Sequence, residues 1–519
     1  MKTNNGTDSE TLQVSRRSLL AAGALASGSM MVSKRVGGSE PPYDNGAKPA
    51  TVPIDGTDHM SPSEPGKDYT PVTVPNGWTL PYKIVDGIKV FHLVAEEVQH
   101  EFAPGLTATC WGYNGSVHGP VIEAVEGDRV RIFATNKLSA PTTVHWHGAI
   151  VPSGMDGVGG LSQAPILPGE TFMYEFTLRQ HGTLMYHSHH DEMTQMGMGM
   201  TGLFIIHPRN DPRPRVQRDY ALMLHEWKIE VGASRPDPNE MSEFNVLTIN
   251  GRCFPGTEPL LASIGDRVRI RIGNLSAMDH HPIHLHGYAF RITETDGGTI
   301  PEADRRPETT VLLPVGSTRT IEFEANNPGD WAMHCHMTHH VMNQMGHGMP
   351  NMIGVKPGDA DERLRKLLPG YMTMGENGMG GMVEMGMNVP ENSIAMVGGT
   401  GPHGEITMGG MFTILKVRQG TQPDAFEGWY AAPPGTQATI ATDEMIQRSG
   451  IDGSATRAPR TGRADKHPAM TQPPQPMIME SGGGYACPMH PDVTSNTPDS
   501  RCPKCGMKLV RRTGQKKGE

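Results

Sequence analysis

Aromatic residues make up only 6% of the 519-residue chain, while glycine and proline number 63 and 44. That balance suits β units joined by long connectors. Helical periodicity is scarce, which disfavours alternating β and α elements. Apart from a mild apolar run near the N-terminus, which is itself too short, no segment approaches membrane-spanning length, and no membrane span is expected. The net charge of −10 supplies no basic surface, so neither nucleic acid nor an anionic membrane is an expected partner. Cysteine is sparse as well. Of six, Cys335 lies among histidines, Cys110 and Cys253 each precede a copy of one repeated motif, and Cys487, Cys502 and Cys505 belong to the tail. A Cys110–Cys253 disulfide is left open by spacing alone.

What is present is an internal repeat. G-D-R-V-R-I occurs at 127–132 and again at 265–270, and each copy is followed by an H-x-H-G, at 145–148 and 284–287. Later, G-T-L-M-Y-H-S-H (182–189) aligns with G-D-W-A-M-H-C-H (329–336). Two homologous units of about 140 residues follow. Within them, β-branched or alternating runs at 130–134, 171–178, 268–272 and 318–324 are separated by Gly, Pro and Asn turns, the pattern of an antiparallel β-sandwich. The expected fold class is all-β.

Four histidine clusters sit in this frame: HWHG (145–148), HSH (187–189), HPIHLHG (281–287) and HCHMTHHVMNQM (334–345). In an extended strand the two members of an H-x-H share a face, so facing strands can share metals between them. Cys335 supplies a soft thiolate, His340 lies five residues on and Met345 five further, a set suited to a trigonal His₂Cys copper site with a weak axial Met. His334 and His336 flank the cysteine and point to the opposite face. An electron arriving at Cys335 reaches both through covalent bonds alone.

Over roughly residues 80–357 these motifs resemble the multicopper oxidases, specifically their two-domain, laccase-like and copper-resistance relatives. The resemblance implies two cupredoxin-type Greek-key domains, at 75–210 and 215–357, the second with the blue, type 1 copper. It assigns His281, Cys335, His340 and Met345 to type 1 copper, and His145 and His284 to type 2 copper. His147, His187, His189, His286, His334 and His336 then hold the type 3 pair, making four coppers per core. Asp156 matches the family's acidic residue near the cluster and takes a proton-relay role. By the repeat offsets, Thr142, Ser188 and Met193 stand in the first unit where the second has His281, Cys335 and His340. The first unit therefore keeps four histidines and no blue site. Its quartet needs four more from another surface, and the resemblance implies a homotrimer with intersubunit clusters.

Around this core, residues 15–20, S-R-R-S-L-L, with the apolar run to 32 resemble a twin-arginine export signal, which implies a periplasmic or secreted protein exported folded. Residues 33–72 read as a flexible lead and 419–484 as a Pro/Gly-rich linker. The extension 358–418 is methionine-dense at 371–387, and 408–418 reads as one added strand on a cupredoxin edge, its own or a neighbour's. At 485–510, Cys487, His490, Cys502 and Cys505 form a four-ligand set resembling a small heavy-metal-binding module, for copper or zinc.

The implied reaction couples one-electron oxidation of a donor to reduction of O₂ to water. Cu(I) is the favoured donor, because thioethers favour cuprous ion. Laccase-type oxidation of phenols is the alternative, followed by a Mn(II) or Fe(II) oxidase, which requires hard carboxylates near His340. A non-catalytic copper-sequestering protein is the reading from a different class. A copper nitrite reductase needs a cysteine where Ser188 stands.

Overall fold

In the first repeat, Arg129–Asn136 alternates partly exposed and buried residues, with Val130, Ile132 and Ala134 pointing inward. That period of two marks a strand with one face on a core. It lies between Ile88–Ala103, which it pairs in parallel, and Thr171–Thr177, which it pairs antiparallel. Leu106–Tyr113 folds back on Ile88–Ala103. The facing sheet runs Ile122–Val125, Thr201–His207, Gly182–His187. Trp146, Tyr174, Tyr186 and Phe204 fill the space between the sheets. The structure is a computed structural model that describes residues 60–344, 391–396 and 398–452, together with a few positions in 363–367 and 485–511.

The second repeat builds the same pair of layers. One sheet is ordered Val246–Ile249, Arg218–Trp227, Arg267–Asn274, Ser317–Glu324, Phe290–Thr295 and Gly298–Thr299, with Pro307–Glu308 also on Phe290–Thr295. The other is ordered Leu260–Ser263, Phe412–Arg418, Gly329–Cys335, His281–Leu285, Thr310–Leu313. Two all-β sandwiches of the expected cupredoxin type result, and no described helix is long and apolar enough to cross a membrane.

The added strand is Phe412–Arg418, and it is not at an edge. It is inserted between two strands of its own chain, parallel to Leu260–Ser263 and antiparallel to Gly329–Cys335. Six of its seven residues are buried. The second sandwich is thus completed by sequence far beyond residue 357. The lead into the first sandwich also differs from expectation over 60–72. Ser63, Tyr69 and Val72 are buried, and Ser63 hydrogen-bonds Asp128, which in turn pairs with the fully buried Lys89 at 2.9 Å. Burial of a charged pair needs these extra hydrogen bonds to be tolerable. Cys110 and Cys253 are both free thiols, buried in one cluster with Phe102 and Trp227. The export signal, residues 33–59, the methionine-dense stretch and residues 453–484 lie outside the described residues.

Arg267–Asn274 loses the simple alternation because both its faces are covered. Arg271, 1% exposed, makes a bidentate contact to Asp219 (2.9 and 3.0 Å) and donates to Thr183 of the first sandwich at 3.0 Å. Thr318 also donates to the Thr183 carbonyl, at 2.7 Å. Arg269 joins Asp219 to Glu322. Asp219→Ala strips one carboxylate from two buried guanidinium groups and is expected to cost about 3–5 kcal/mol. Urea unfolding measures this, and a loss below about 1 kcal/mol would mean the network is effectively solvated.

Candidate metal centre

The strands His281–Leu285 and Gly329–Cys335 pair antiparallel, with Ile283 opposite Cys335 and His284 opposite His334. This register sends Cys335 inward and His284 and His334 to the other face. A short 3-10 turn, Thr338–Val341, returns His340 to the cysteine. His281 Nδ1 and His340 Nδ1 are 3.2 Å apart, and Cys335 Sγ lies 3.8 and 3.5 Å from them. A triangle with these edges has its centre about 2 Å from each corner, the length of a metal–imidazole bond. All three residues are buried.

The far nitrogens of both rings are occupied. His281 Nε2 pairs with the Ser276 hydroxyl at 2.7 Å, and His340 Nε2 lies 3.3 Å from Asp279 Oδ2. Each ring is thereby turned to offer Nδ1. Burial pushes the His281 imidazole well below its usual pKa, so it is neutral and able to bind metal. Burial also pushes the Cys335 thiol up to about 12. A metal ion reverses that, since coordination deprotonates the thiol. One soft sulfur and two imidazoles in a trigonal set fit copper. Met345 lies outside the described residues.

The chain carries two histidine quartets, one per sandwich, and that of the second sandwich stands on the face opposite Cys335. In the first, His145 and His187 form an isolated bridge, and His147 Nδ1 approaches His187 Nε2 at 3.2 Å. His189 completes it, its ring centroid 5.3 Å from that of His145. In the second, His286 Nε2 and His334 Nε2 are 3.1 Å apart, with His284 and His336 alongside.

Residues 94–211 and 230–354 each match a family profile described as multicopper oxidase. These are multicopper oxidase domains. Residues 485–511 match a heavy metal binding domain. The chain is 30% identical over 233 residues to copper resistance protein A of Escherichia coli, covering 36% of this chain and 38% of that one. It is 30% identical over 217 residues to laccase-1 of Cryptococcus neoformans var. grubii, covering 36% and 34%. The matched region thus spans well under half of either relative. Among solved structures, the blue copper oxidase of Nitrosomonas europaea aligns at 26% identity over 65% of this chain and 92% of that one, with a TM-score of 0.48.

Each multicopper oxidase domain orients its imidazoles through backbone carbonyls, which can only accept hydrogen bonds. His145 Nδ1–H donates to Asp156 O (2.8 Å), His187 to Ser188 O (2.8 Å), His284 to Thr309 O (2.7 Å) and His334 to Cys335 O (2.8 Å). The proton is therefore on Nδ1, and Nε2 is left with its lone pair for metal. His147 is reversed: Nε2–H donates to Gly316 O at 2.9 Å, leaving Nδ1. Burial lowers the pKa of His147 and His334, and that of His187 to about 3, so these rings are neutral in ordinary buffers.

Asp156, singled out by the family resemblance, has Oδ1 3.4 Å from His145 Nδ1. Its turn depends on Gly157, at φ 84°, where a Cβ would meet the Val144 carbonyl at 1.8 Å. Glu192, Asp279 and Glu226 were not found from sequence. Glu192 Oε1 lies 3.2 Å from His189 Nε2, a spacing of three residues that could have flagged it. Asp279 precedes H-H-P-I-H directly. Glu226 Oε1 accepts from the Met278 and Asp279 amides, and burial together with the nearby Asp279 holds its carboxyl above the usual range.

The first domain keeps the outline of the His281–Cys335–His340 set without its chemistry. Thr142 Oγ1 lies 3.2 Å from Ser188 Oγ, and both hydroxyls donate to Gln195 Oε1, at 2.7 and 2.6 Å. Met193, the offset counterpart of His340, is exposed, and buried Gln195 takes the third place instead. A hydroxyl–amide network of this kind offers no soft ligand. Within the chain the two quartets stay apart: among the described residues, no ring of one contacts a ring of the other. His286 and His336 of the second quartet are exposed. Cys487, His490, Cys502 and Cys505 lie outside the described residues, although Tyr485–Ala486 pairs with both Thr494–Ser495 and Val510–Arg511 around them.

Proposed function

We propose that the protein is a copper-dependent oxidase that takes single electrons from a donor at the His281–Cys335–His340 site and delivers them to O₂. The convergence of Sγ and two Nδ1 atoms carries this reading, because Cys335 is bonded in sequence to His334 and His336 of the quartet behind it. Copper bound at these residues supplies one-electron exchange at the thiolate and four-electron reduction of O₂ to water among the histidines. The protein's part is to hold Nδ1 or Nε2 free on each ring, exclude water from Cys335, and supply protons from Asp156 beside His145.

His281, Cys335, His340 and Met345 form the type 1 set in this reading. His145 and His284 take type 2 copper, and His147, His187, His189, His286, His334 and His336 the type 3 pair. Because each chain presents two separate quartets, clusters are completed between chains, in a homotrimer. Cys487, His490, Cys502 and Cys505 bind a soft metal in the tail, and residues 15–20 direct export of the folded protein to the periplasm or beyond.

Cu(I) is the proposed donor. Two exposed thioethers adjoin the type 1 set in sequence, Met278 next to Asp279 and Met337 two residues after Cys335, and thioethers select cuprous ion. Asp279, with Glu226 behind it, also meets the condition for a harder donor, so Mn(II) or Fe(II) is the second reading. Oxygen uptake with Cu(I), Mn(II) and a phenol decides between them. Cu(I) is expected to be fastest, and Met278→Ala/Met337→Ala to slow Cu(I) by about tenfold while leaving the phenol rate within twofold. A phenol rate above the Cu(I) rate would favour the laccase reading. Removal of the tail module must stop beyond Arg418, since Phe412–Arg418 belongs to the second sandwich.

A further inference from the structure

The turn at 314–317 joins two strands of the second domain, yet it touches the first domain's quartet. Gly316 O is the acceptor that orients His147, at 2.9 Å. Gly316 adopts φ 72°, and a Cβ there would lie 3.7 Å from His147 Cε1. One residue earlier, Val315 N–H donates to His280 Nδ1 at 3.1 Å. His280 lies between Asp279, which faces His340, and His281, so the turn is tied to the segment that carries the blue site. Buried Asn274 braces the assembly. Its Nδ2 donates to Asp279 O and Leu313 O, both at 3.0 Å, and its carbonyl accepts Gly316 N–H at 2.9 Å.

The first domain is an internal control. Asn136 makes the same three bonds there, to Ala140 O, Ile166 O and Gly169 N–H. The positions matching His280 and Val315 are Pro141 and Pro168, which supply neither an acceptor ring nor an N–H. A Cβ on Gly169 would find nothing within 4 Å. The brace is common to both repeats, and the His280 link occurs only where the turn has a histidine to hold.

We propose that His280 is a positioning residue for the histidine cluster: it anchors the 314–317 turn, and Gly316 O in turn holds His147 with Nδ1 presented to metal. This rests on the reading of His147 as a copper ligand. With clusters completed between chains, the link joins a blue site to a cluster that it does not feed, and so connects neighbouring clusters.

Copper retention against a competing chelator tests this in the full chain carrying Cys335→Ser, with the tail contributing equally to every variant. His280→Ala is expected to weaken one histidine-held copper by about tenfold, the usual effect of losing a hydrogen-bond partner behind a ligand. His280→Asn, whose Oδ1 replaces Nδ1 as acceptor, is expected to stay within twofold of its parent. If His280→Ala does not fold, Gly316→Ala strains the turn with His280 intact and is expected to show the same loss. Parent-like retention in the alanine variant that folds, or an asparagine variant as weak as His280→Ala, overturns the proposal. A parent that retains no histidine-held copper overturns the copper reading instead.

Discussion

Cys335→Ser is expected to bleach the visible absorption of the copper-loaded protein and to lower donor-driven oxygen uptake by about a thousandfold or more, roughly 4 kcal/mol of barrier. Two effects combine. A serine hydroxyl is a hard, protonated ligand that does not replace a thiolate toward copper. It also removes the sulfur from the bonded path between the His281–His340 site and His334 and His336. Cys335 is fully buried in the second core, so the substitution places a hydroxyl among apolar neighbours at a cost of about 1–3 kcal/mol. The folded fraction is therefore measured alongside by thermal unfolding. The histidine-held coppers are expected to remain. Persistence of strong blue colour in the serine variant would mean that another sulfur carries the site.

The histidines and the cysteine that the structure brings together were largely legible because they lie in compact motifs set on a repeat. Two copies of G-D-R-V-R-I predict two strands at equivalent places, and the structure has Arg129–Asn136 and Arg267–Asn274 there. Period-two alternation told which residues share a face. It did not tell which strand pairs with which. Phe412–Arg418 has a clear strand pattern, but its insertion between Leu260–Ser263 and Gly329–Cys335 depends on non-local pairing. The packed residues within 60–72 were missed for a related reason: their Pro/Ser/Asp composition reads as linker, and only the burial of Asp128 and Lys89 gives Ser63 its partner.

Second-layer groups were the least legible. The carbonyls of Asp156, Ser188, Thr309, Cys335 and Gly316 decide which nitrogen each ring offers, and a carbonyl carries no sequence signal. Gln195 shows the limit of counting offsets. Alignment nominates Met193 opposite His340, but the short helix Glu192–Gly197 turns Met193 outward and Gln195 in.

The separation of the two quartets within a chain sets the central prediction. One chain carries His145→Ala/His147→Ala and loses its first-domain half-site. A second carries His284→Ala/His286→Ala and loses its second-domain half-site. Each alone is expected to be inactive. Co-assembled in equal amounts as trimers, they place an intact first-domain quartet beside an intact second-domain quartet at one interface in four, so about a quarter of wild-type oxygen uptake should return. Recovery near that level supports copper clusters built between chains. No recovery from co-assembled trimers would contradict it, and would place both halves of every cluster in one polypeptide.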